Sequence, residues 1–359
     1  MELTYKRFFV KIIYSMERFD EKGVFLITDR VTRRYFLSAD VAEGVLLSGS
    51  KSVFFTDARY FYAAKAAIAK SSPDTECRLY GGLNDVAAAI KEDRAETLYL
   101  DYDKTTMSEY AKYKDFGLPV KDGSAFLKNK RLIKTEAEID CIRRACDIIE
   151  RAYYAILPLV KEGVAEKELA AALETACLNR GAEGMSFDTI VAFGANSAVP
   201  HHVTGDARLK RNSPVLIDCG CKVNGYCSDL TRTAFFGNPS DKFLSAYDAV
   251  LNANLKAEDE IFSGCGLIRA DGIARSYLSE RGYGPYFTHS LGHGVGLEIH
   301  ESPTLSPRAE GVLLTGEVFT IEPGVYFDGE FGIRIEDTVL LTNDGVSRLF
   351  TDNKNLIVL

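Results

Sequence analysis

Nothing in the 359-residue sequence approaches the ~20 consecutive apolar residues that a membrane span requires, which excludes a spanning helix. A basic stripe is missing too. With 43 Lys and Arg against 51 Asp and Glu, the formal charge is −8, a sign that repels a phosphate backbone, so no nucleic-acid partner is expected. There is no CxxC pair. The eight cysteines (77, 141, 146, 177, 219, 221, 227 and 265) read as reduced thiols of an intracellular protein, most of them small core hydrophobes. The apolar run near the N-terminus is broken by Lys11, and no small-x-small cleavage site follows, so no secretory signal is expected. Low-complexity tracts and short tandem repeats are also lacking. What remains, 46% hydrophobic and 26% charged, is the composition of a packed globular protein, expected to be soluble and cytoplasmic.

Residues 1–125 alternate short strands with helical stretches. GVFLIT (23–28), GVLLSG (44–49), SVFFTD (52–57) and TLYLDY (97–102) have strand length and strand composition. ARYFYAAKAAIAK (58–70) and LNDVAAAIKED (83–93) space their apolar residues as helices do. The alternation predicts an α/β domain with a largely parallel sheet. This half contains no histidine and no concentration of reactive side chains.

A domain boundary is expected within 120–134, giving domains 1–125 and 126–359. Thr135 and Glu138 form a capping box opening a long helix, with Ile139, Ile142, Ala145, Ile148 and Ile149 on one face. Further helices are predicted at about 166–180, ending at Gly181, at about 241–262 after Ser240, and at about 271–281 before Gly282. Strands rich in Val, Ile, Phe and Thr lie between and after them. The second half thus reads as α+β, its helices segregated from a mostly antiparallel sheet.

The chemistry concentrates in this second half. All five histidines (His201, His202, His289, His293 and His300) fall within one 100-residue window, interleaved with carboxylates. SPVLIDCGCKV and YCSDLTRTAFF flank Asn224-Gly225, the favoured two-residue type I′ hairpin turn. With that turn, Asp218 opposes Thr231 and Asp229 opposes Gly220, which is expected to leave open space. Asp218 and Asp229 then share a face as diagonal neighbours, with Cβ atoms about 7 Å apart. Like charges placed so repel, and a cation between them removes that cost; the plain alternative is one solvated Asp on each strand. The apolar neighbours Val215, Leu216, Ile217, Leu230, Phe235 and Phe236 point to burial instead.

VFTIEPG (318–324) and FGIRIEDTVLLT (331–342) repeat the theme, each reading as one strand that sets a carboxylate, Glu322 or Glu336, among strong β-formers. A buried Glu is costly unless paired or bound to metal, and an ion pair with Arg334 is the alternative. In HSLGHGVGLEIHE (289–301), glycines on either side of His293 allow close backbone approach, so that the imidazole reaches a crowded site. Four carboxylates (Asp218, Asp229, Glu322, Glu336) and one imidazole (His293) suit Mn²⁺, Co²⁺ or Zn²⁺, and four negative charges balance two divalent ions.

SFDTIVAFGANSAVPHH, VLIDCGCKVNGYCSDLTRT, HSLGHGVGLEIHE, FTIEPGVYF and GIRIED, in this order, resemble the pita-bread metallopeptidases, which include methionine aminopeptidase, Xaa-Pro aminopeptidase and Xaa-Pro dipeptidase. The similarity extends over about 126–345, with a weaker match to a creatinase-like N-terminal domain. The resemblance implies a pita-bread catalytic domain with a curved sheet and two divalent metals, manganese first, with cobalt or zinc as alternatives. It implies that Asp218 chelates one metal, His293 and Glu322 bind the other, and Asp229 and Glu336 bridge them.

By the same resemblance, His201 and His300 assist catalysis, Glu322 shuttles a proton, His289 and Tyr326 line a proline pocket, and Arg334 sits on the substrate side beside Glu336. His202 matches no functional position. The implied reaction is attack of a metal-bridging hydroxide on a peptide with proline in second place, in a homodimeric enzyme. ESPTLSPRAEG after His300 looks like the small bacterial aminopeptidases and favours Xaa-Pro aminopeptidase over Xaa-Pro dipeptidase, although Arg308 blurs the distinction. Phe193, where many relatives have a small Ser, is expected to narrow the cleft. A catalytically silent binding protein is the competing class, disfavoured because all five ligands are intact.

Overall fold

The computed structural model describes residues 22–359, so the reading of the N-terminal apolar run lies outside the described residues. Two compact units meet between Arg131 and Leu132. The expected cut at 125/126 falls inside a helix, Ser124–Leu132, which carries the division six residues further.

In the first unit a six-stranded sheet has the order β4-β3-β2-β1-β5-β6. The strands are β1 (Gly23–Ile27), β2 (Val45–Ser48), β3 (Ser52–Thr56), β4 (Thr75–Leu79), β5 (Thr97–Leu100) and β6 (Val120–Asp122). Helices α1 (Arg30–Leu37), α2 (Phe61–Ser71), α3 (Leu83–Glu92), α4 (Met107–Lys114) and α5 (Ser124–Leu132) connect or follow them. Pairings β1–β5, β3–β4 and β5–β6 are parallel, while β2 runs antiparallel to both β1 and β3, so the sheet is mixed. The edge strand β4 escapes the apolar pattern because Glu76 and Arg78 lie along it. Arg78 pairs with Glu76 and with Glu92 of α3, at 2.8 Å each, and charge on an edge discourages further strand pairing.

The second unit opens with α6 (Glu136–Ile156), capped as its sequence predicts: Thr135 N–H donates to Glu138 Oε2 at 2.7 Å, and Glu138 N–H donates back to the Thr135 hydroxyl. The five apolar residues of its predicted face are all buried. Then come α7 (Glu166–Leu178), the short β7 (Gly184–Met185), β8 (Ile190–Phe193), β9 (Ser213–Cys219), β10 (Cys221–Val223), β11 (Tyr226–Cys227) and β12 (Leu230–Phe236). Helices α8 (Asp241–Glu260) and α9 (Leu267–Glu280) precede β13 (Gly292–Gly294), β14 (Glu301–Leu305), β15 (Val318–Ile321), β16 (Gly324–Phe327), β17 (Phe331–Arg334), β18 (Glu336–Thr342) and β19 (Gly345–Arg348).

An eight-stranded sheet of order β14-β13-β15-β18-β12-β9-β8, with β19 added beside β18, is antiparallel throughout. One core joins α6 and α7 to β8, β9 and β12, and a second joins α8 and α9 to β15, β17 and β18.

The Asn224-Gly225 turn sets the register as expected. Both residues have positive φ (48° and 77°), Val223 pairs with Tyr226, and Asp218 faces Thr231. Gly220, however, leaves no open space: a Cβ there would collide with the Ser228 carbonyl, so this glycine answers a close backbone approach.

The predicted single strand over 331–342 is also interrupted, at Ile335. The partner opposite is Pro323, which has no N–H to give, and the Ile335 carbonyl takes a bond from the Asn254 amide at 3.1 Å instead. Glu322 and Glu336 stand at the two sides of this interruption.

Candidate metal centre

The acids converge from separate strands. Asp218 lies in β9, Asp229 immediately before β12, Glu322 immediately after β15, Glu336 at the start of β18, and His293 in β13. One oxygen each of Asp229 and Glu336 and one ring nitrogen of His293 lie within 4.8 Å of one another, the one such group among the described residues. His293 Nε2 also stands 3.4 Å from Glu322 Oε1. The glycines beside His293 act as expected, since a Cβ on Gly292 or Gly294 would strike the Thr320 or Ser302 carbonyl.

Charge does not balance within the protein. Arg334 is the one cation in ion-pair contact with the acids among the described residues, holding Asp218 Oδ2 at 2.5 Å. Burial, followed by the charges of Glu336, Asp218 and Glu322, pushes the Asp229 carboxyl far above its usual range. Glu336 is raised in the same way, by burial and then by Glu322 and Asp218. Burial lifts Glu322 to about 8. The other oxygen of Asp218, Oδ1, is buried with no hydrogen-bond partner.

His293 accommodates this excess. Its Nδ1–H donates to the Gly294 carbonyl at 3.1 Å, which turns the Nε2 lone pair toward the acids. Burial and the nearby His300 lower its pKa to about 4, so it is a neutral donor at physiological pH. Hard carboxylate oxygens, one neutral nitrogen and an orphaned buried oxygen are what divalent cations would satisfy.

Around this centre the remaining candidates separate. His300 sits edge-on to His293, with ring centroids 4.4 Å apart, and its own imidazole is exposed. His201 is exposed, and burial lowers the pKa of both His289 and His300. Arg334 is not free for substrate. It is 4% exposed, and its Nε–H goes to the Thr231 hydroxyl at 3.0 Å, one Nη1 bond to the Tyr326 hydroxyl at 2.9 Å, and Nη2 to Asp218. It braces Asp218 from within the protein.

Tyr326 donates on to His289 Nε2 at 2.9 Å, and His289 Nδ1–H donates to the Ser290 carbonyl at 2.8 Å. Burial and then Arg334 lower His289 to about 4, and this oriented chain keeps it neutral. Phe193 does not narrow the cleft: it is 6% exposed and packs in the core with α6 and α7.

Several supporting residues carry no sequence signal of function. The Thr231 hydroxyl donates to Glu336 Oε2 at 2.5 Å, and the Thr320 hydroxyl donates to Glu322 Oε1 at 3.1 Å. Strand alternation places these threonines on the acid face, but only register shows which acid each braces. Glu166, fully buried at the start of α7, accepts from Phe193 N–H, the Asn196 amide, His202 Nε2 and Gly205 N–H at 2.8–3.1 Å, anchoring the loop that carries His201. His202 thereby has its structural place. A carboxylate at a helix start reads in sequence as an ordinary dipole partner.

An acid cluster with one neutral imidazole, set in a curved antiparallel sheet, defines the class: a metal centre of the metallopeptidase type. The signature of metallopeptidase family M24 spans residues 140–343, and the chain belongs to that family. Its second unit has the family's pita-bread fold. An Xaa-Pro dipeptidase of Pyrococcus furiosus is 46% identical over 231 residues, 64% of this chain and 66% of that protein, so the chain spans slightly under two thirds of that relative. Among solved structures, an Xaa-Pro dipeptidase from Bacillus anthracis superposes with a TM-score of 0.92 at 37% identity, covering 98% of this chain and 99% of that one. An X-Pro aminopeptidase from Thermotoga maritima gives 0.88 at 34% identity, covering 96% and 100%. Among the described residues no helix is long and apolar enough to cross a membrane.

Proposed function

We propose that the protein is a two-metal Xaa-Pro dipeptidase. The observation that carries this is the excess of buried carboxylates over cations at Asp218, Asp229, Glu322 and Glu336, facing the free Nε2 of His293. The names of the Pyrococcus and Bacillus relatives support the dipeptidase form, and this replaces the preference for an aminopeptidase drawn from ESPTLSPRAEG. The aminopeptidase stays as the second reading on the strength of the Thermotoga structure. Manganese as the metal, a homodimer and a cytoplasmic location belong to the same reading.

Asp218, Asp229, His293, Glu322 and Glu336 would hold the metals, Asp229 and Glu336 serving both. Divalent cations there supply Lewis acidity and activate water near neutral pH. The protein's own groups do the rest. His201 and His300 stabilise negative charge developing on the scissile carbonyl oxygen. Glu322 passes a proton to the imino nitrogen that leaves. His289 and Tyr326, locked together and to Arg334, form the wall for the proline ring, while Arg334 keeps Asp218 aimed. A dipeptide also brings a carboxylate close to the centre. Thr304 pairs opposite His293, and the exposed Arg308 follows four residues later, the candidate cation for that group.

The deciding experiment compares Xaa-Pro dipeptides with Xaa-Pro-Yaa tripeptides, with Mn²⁺ and with excess chelator. Dipeptide cleavage alone, lost to chelator and restored by Mn²⁺, is expected; preference for the tripeptide returns the aminopeptidase reading, and full activity in chelator overturns both. Arg308→Ala should raise KM for the dipeptide by about tenfold or more, as expected when a charge-assisted contact is lost, and leave metal content unchanged.

A further inference from the structure

On the face of β18 opposite the acids lies a second buried ionic cluster, which joins Asp337 and Arg232, close in sequence to the ligands Glu336 and Asp229, to the distant Asp352 and Lys354. Glu336 points to the metal side, and its neighbour Asp337 points to this reverse side, where both its charge partners are enclosed. Arg232 holds Asp337 Oδ1 at 2.8 Å and Lys354 Nζ stands 3.0 Å from Oδ2. Arg232 uses every N–H it has. Two go to the carboxylate of Asp352 at 2.6 and 2.7 Å, one to Asp337, and the two of Nη1 to main-chain carbonyls, Thr231 at 3.0 Å and Glu336 at 2.6 Å. The β12–β18 ladder is only two residue pairs long, and Thr231 opposite Glu336 is one of them. The guanidinium therefore holds the two strands together at the position of a bridging acid.

Lys354 does the same one step away. Fully buried and in a left-handed backbone conformation (φ 57°), it donates to the side-chain amide oxygen Oδ1 of Asn254 at 2.5 Å and pairs with Glu258 at 2.9 Å. Asn254, also fully buried, turns its amide onto two carbonyls, Ile321 at 2.8 Å and Ile335 at 3.1 Å. These are the residues immediately before Glu322 and Glu336, at the strand interruption made by Pro323. The segment bearing Asp352 and Lys354 is itself fixed to α6, because Glu150 accepts from Thr351 N–H, the Thr351 hydroxyl and Asp352 N–H at 2.7–2.9 Å.

Buried ion clusters are a poor source of stability, since well-packed apolar residues of the same volume often do as well or better. This one directs its donors at the main chain of Glu336 and of the residues immediately before Glu322 and Glu336. We propose that residues 351–354 form a positioning clasp which, through Arg232 and Asn254, fixes the backbone at Glu322 and Glu336 and so sets the affinity of the metal centre. The inference rests on the metal-site reading given above. Arg232, Asn254, Asp352 and Lys354 are positioning residues, whose hydrogen bonds go to main-chain carbonyls and to one another rather than to the ligand carboxylates.

The test measures Mn²⁺ binding by calorimetric titration of chelator-treated, folded protein, alongside kcat and KM. Asn254→Ser removes both carbonyl bonds, and Asp352→Asn weakens the hold on Arg232 while keeping the side-chain shape. Both should weaken Mn²⁺ binding by about 10–100-fold, the range for residues that orient metal ligands, with kcat falling and KM nearly unchanged. Leu173→Ala, in the core contact of α7, supplies a destabilised control whose Mn²⁺ affinity should stay at the wild-type value. Variants that lose stability but bind Mn²⁺ as tightly as this control overturn the proposal. Should Asn254→Ser fail to fold, Asp352→Asn decides alone. An intact contrast in Mn²⁺ affinity without Xaa-Pro cleavage would overturn only the substrate reading.

Discussion

Replacing Glu322 by glutamine should stabilise the metal-free protein while removing its activity. Burial raises this carboxyl from its ordinary 4.5 to about 8. In the unfolded chain it ionises near 4.5; in the folded chain it stays largely protonated at pH 7. The folded state therefore binds the extra proton, and stability falls as pH rises between these two values. Two and a half pH units at 1.36 kcal/mol each put the penalty at about 3 kcal/mol at pH 7, shrinking to about 1 kcal/mol at pH 5. Glutamine keeps the acceptor for the Thr320 hydroxyl and removes the titration. Urea unfolding in chelator should thus show a higher midpoint for Glu322→Gln at pH 7, at unchanged slope, with the gain mostly gone at pH 5. Mn²⁺ should reverse the order, since wild type gains about 2.7 kcal/mol at a hundredfold excess over its dissociation constant and the variant gains less. A variant no more stable than wild type at pH 7, or one with the same gain at both pH values, refutes the claim that burial holds the Glu322 carboxyl protonated at neutral pH in the metal-free protein.

Other substitutions separate the parts of the site. Gly292→Ala drives a Cβ into the Thr320 carbonyl and should lower stability by about 1–3 kcal/mol, together with Mn²⁺ affinity, as read by thermal unfolding and titration. Tyr326→Phe deletes the hydroxyl between Arg334 and His289, leaving a buried donor and a buried acceptor unpaired at about 1–3 kcal/mol each. KM for Xaa-Pro substrates should rise with bound metal unchanged, and loss of metal would contradict the assigned role. Glu166→Ala strips four donors of their acceptor, so hydrogen exchange across 193–205 should accelerate and kcat should fall; unchanged exchange would show that this carboxylate does not hold the His201 loop.

What the sequence makes legible is whatever short-range geometry dictates. Asn224-Gly225 prescribes a two-residue turn, the turn prescribes the register, and the register puts Asp218 opposite Thr231 without any long-range information. The glycines around His293 announce a close approach because no other residue tolerates one. Interactions between distant segments leave no such mark. Arg232 and Asp352 are 120 positions apart, and each alone reads as a surface charge. Phe193 looks like an obstacle in a motif, yet its direction depends on whether β8 turns it toward α7 or toward the cleft. The break at Ile335 needs Pro323 in the opposing strand, a fact about pairing rather than about either segment.

The same division explains how the centre is built. Local rules deliver each acid to a strand end, where alternation aims it at a common point. Strand ends are also where ladders fail, so the positions that chemistry needs are those the backbone holds least well. The bonds that compensate come from side chains: Thr231 and Thr320 on the acid face, Arg232 and Asn254 behind it. Four carboxylates that repel one another cannot set their own spacing. Their spacing is held from both faces of the sheet, and altering Arg232 or Asn254, which touch no ligand atom, should be enough to change it.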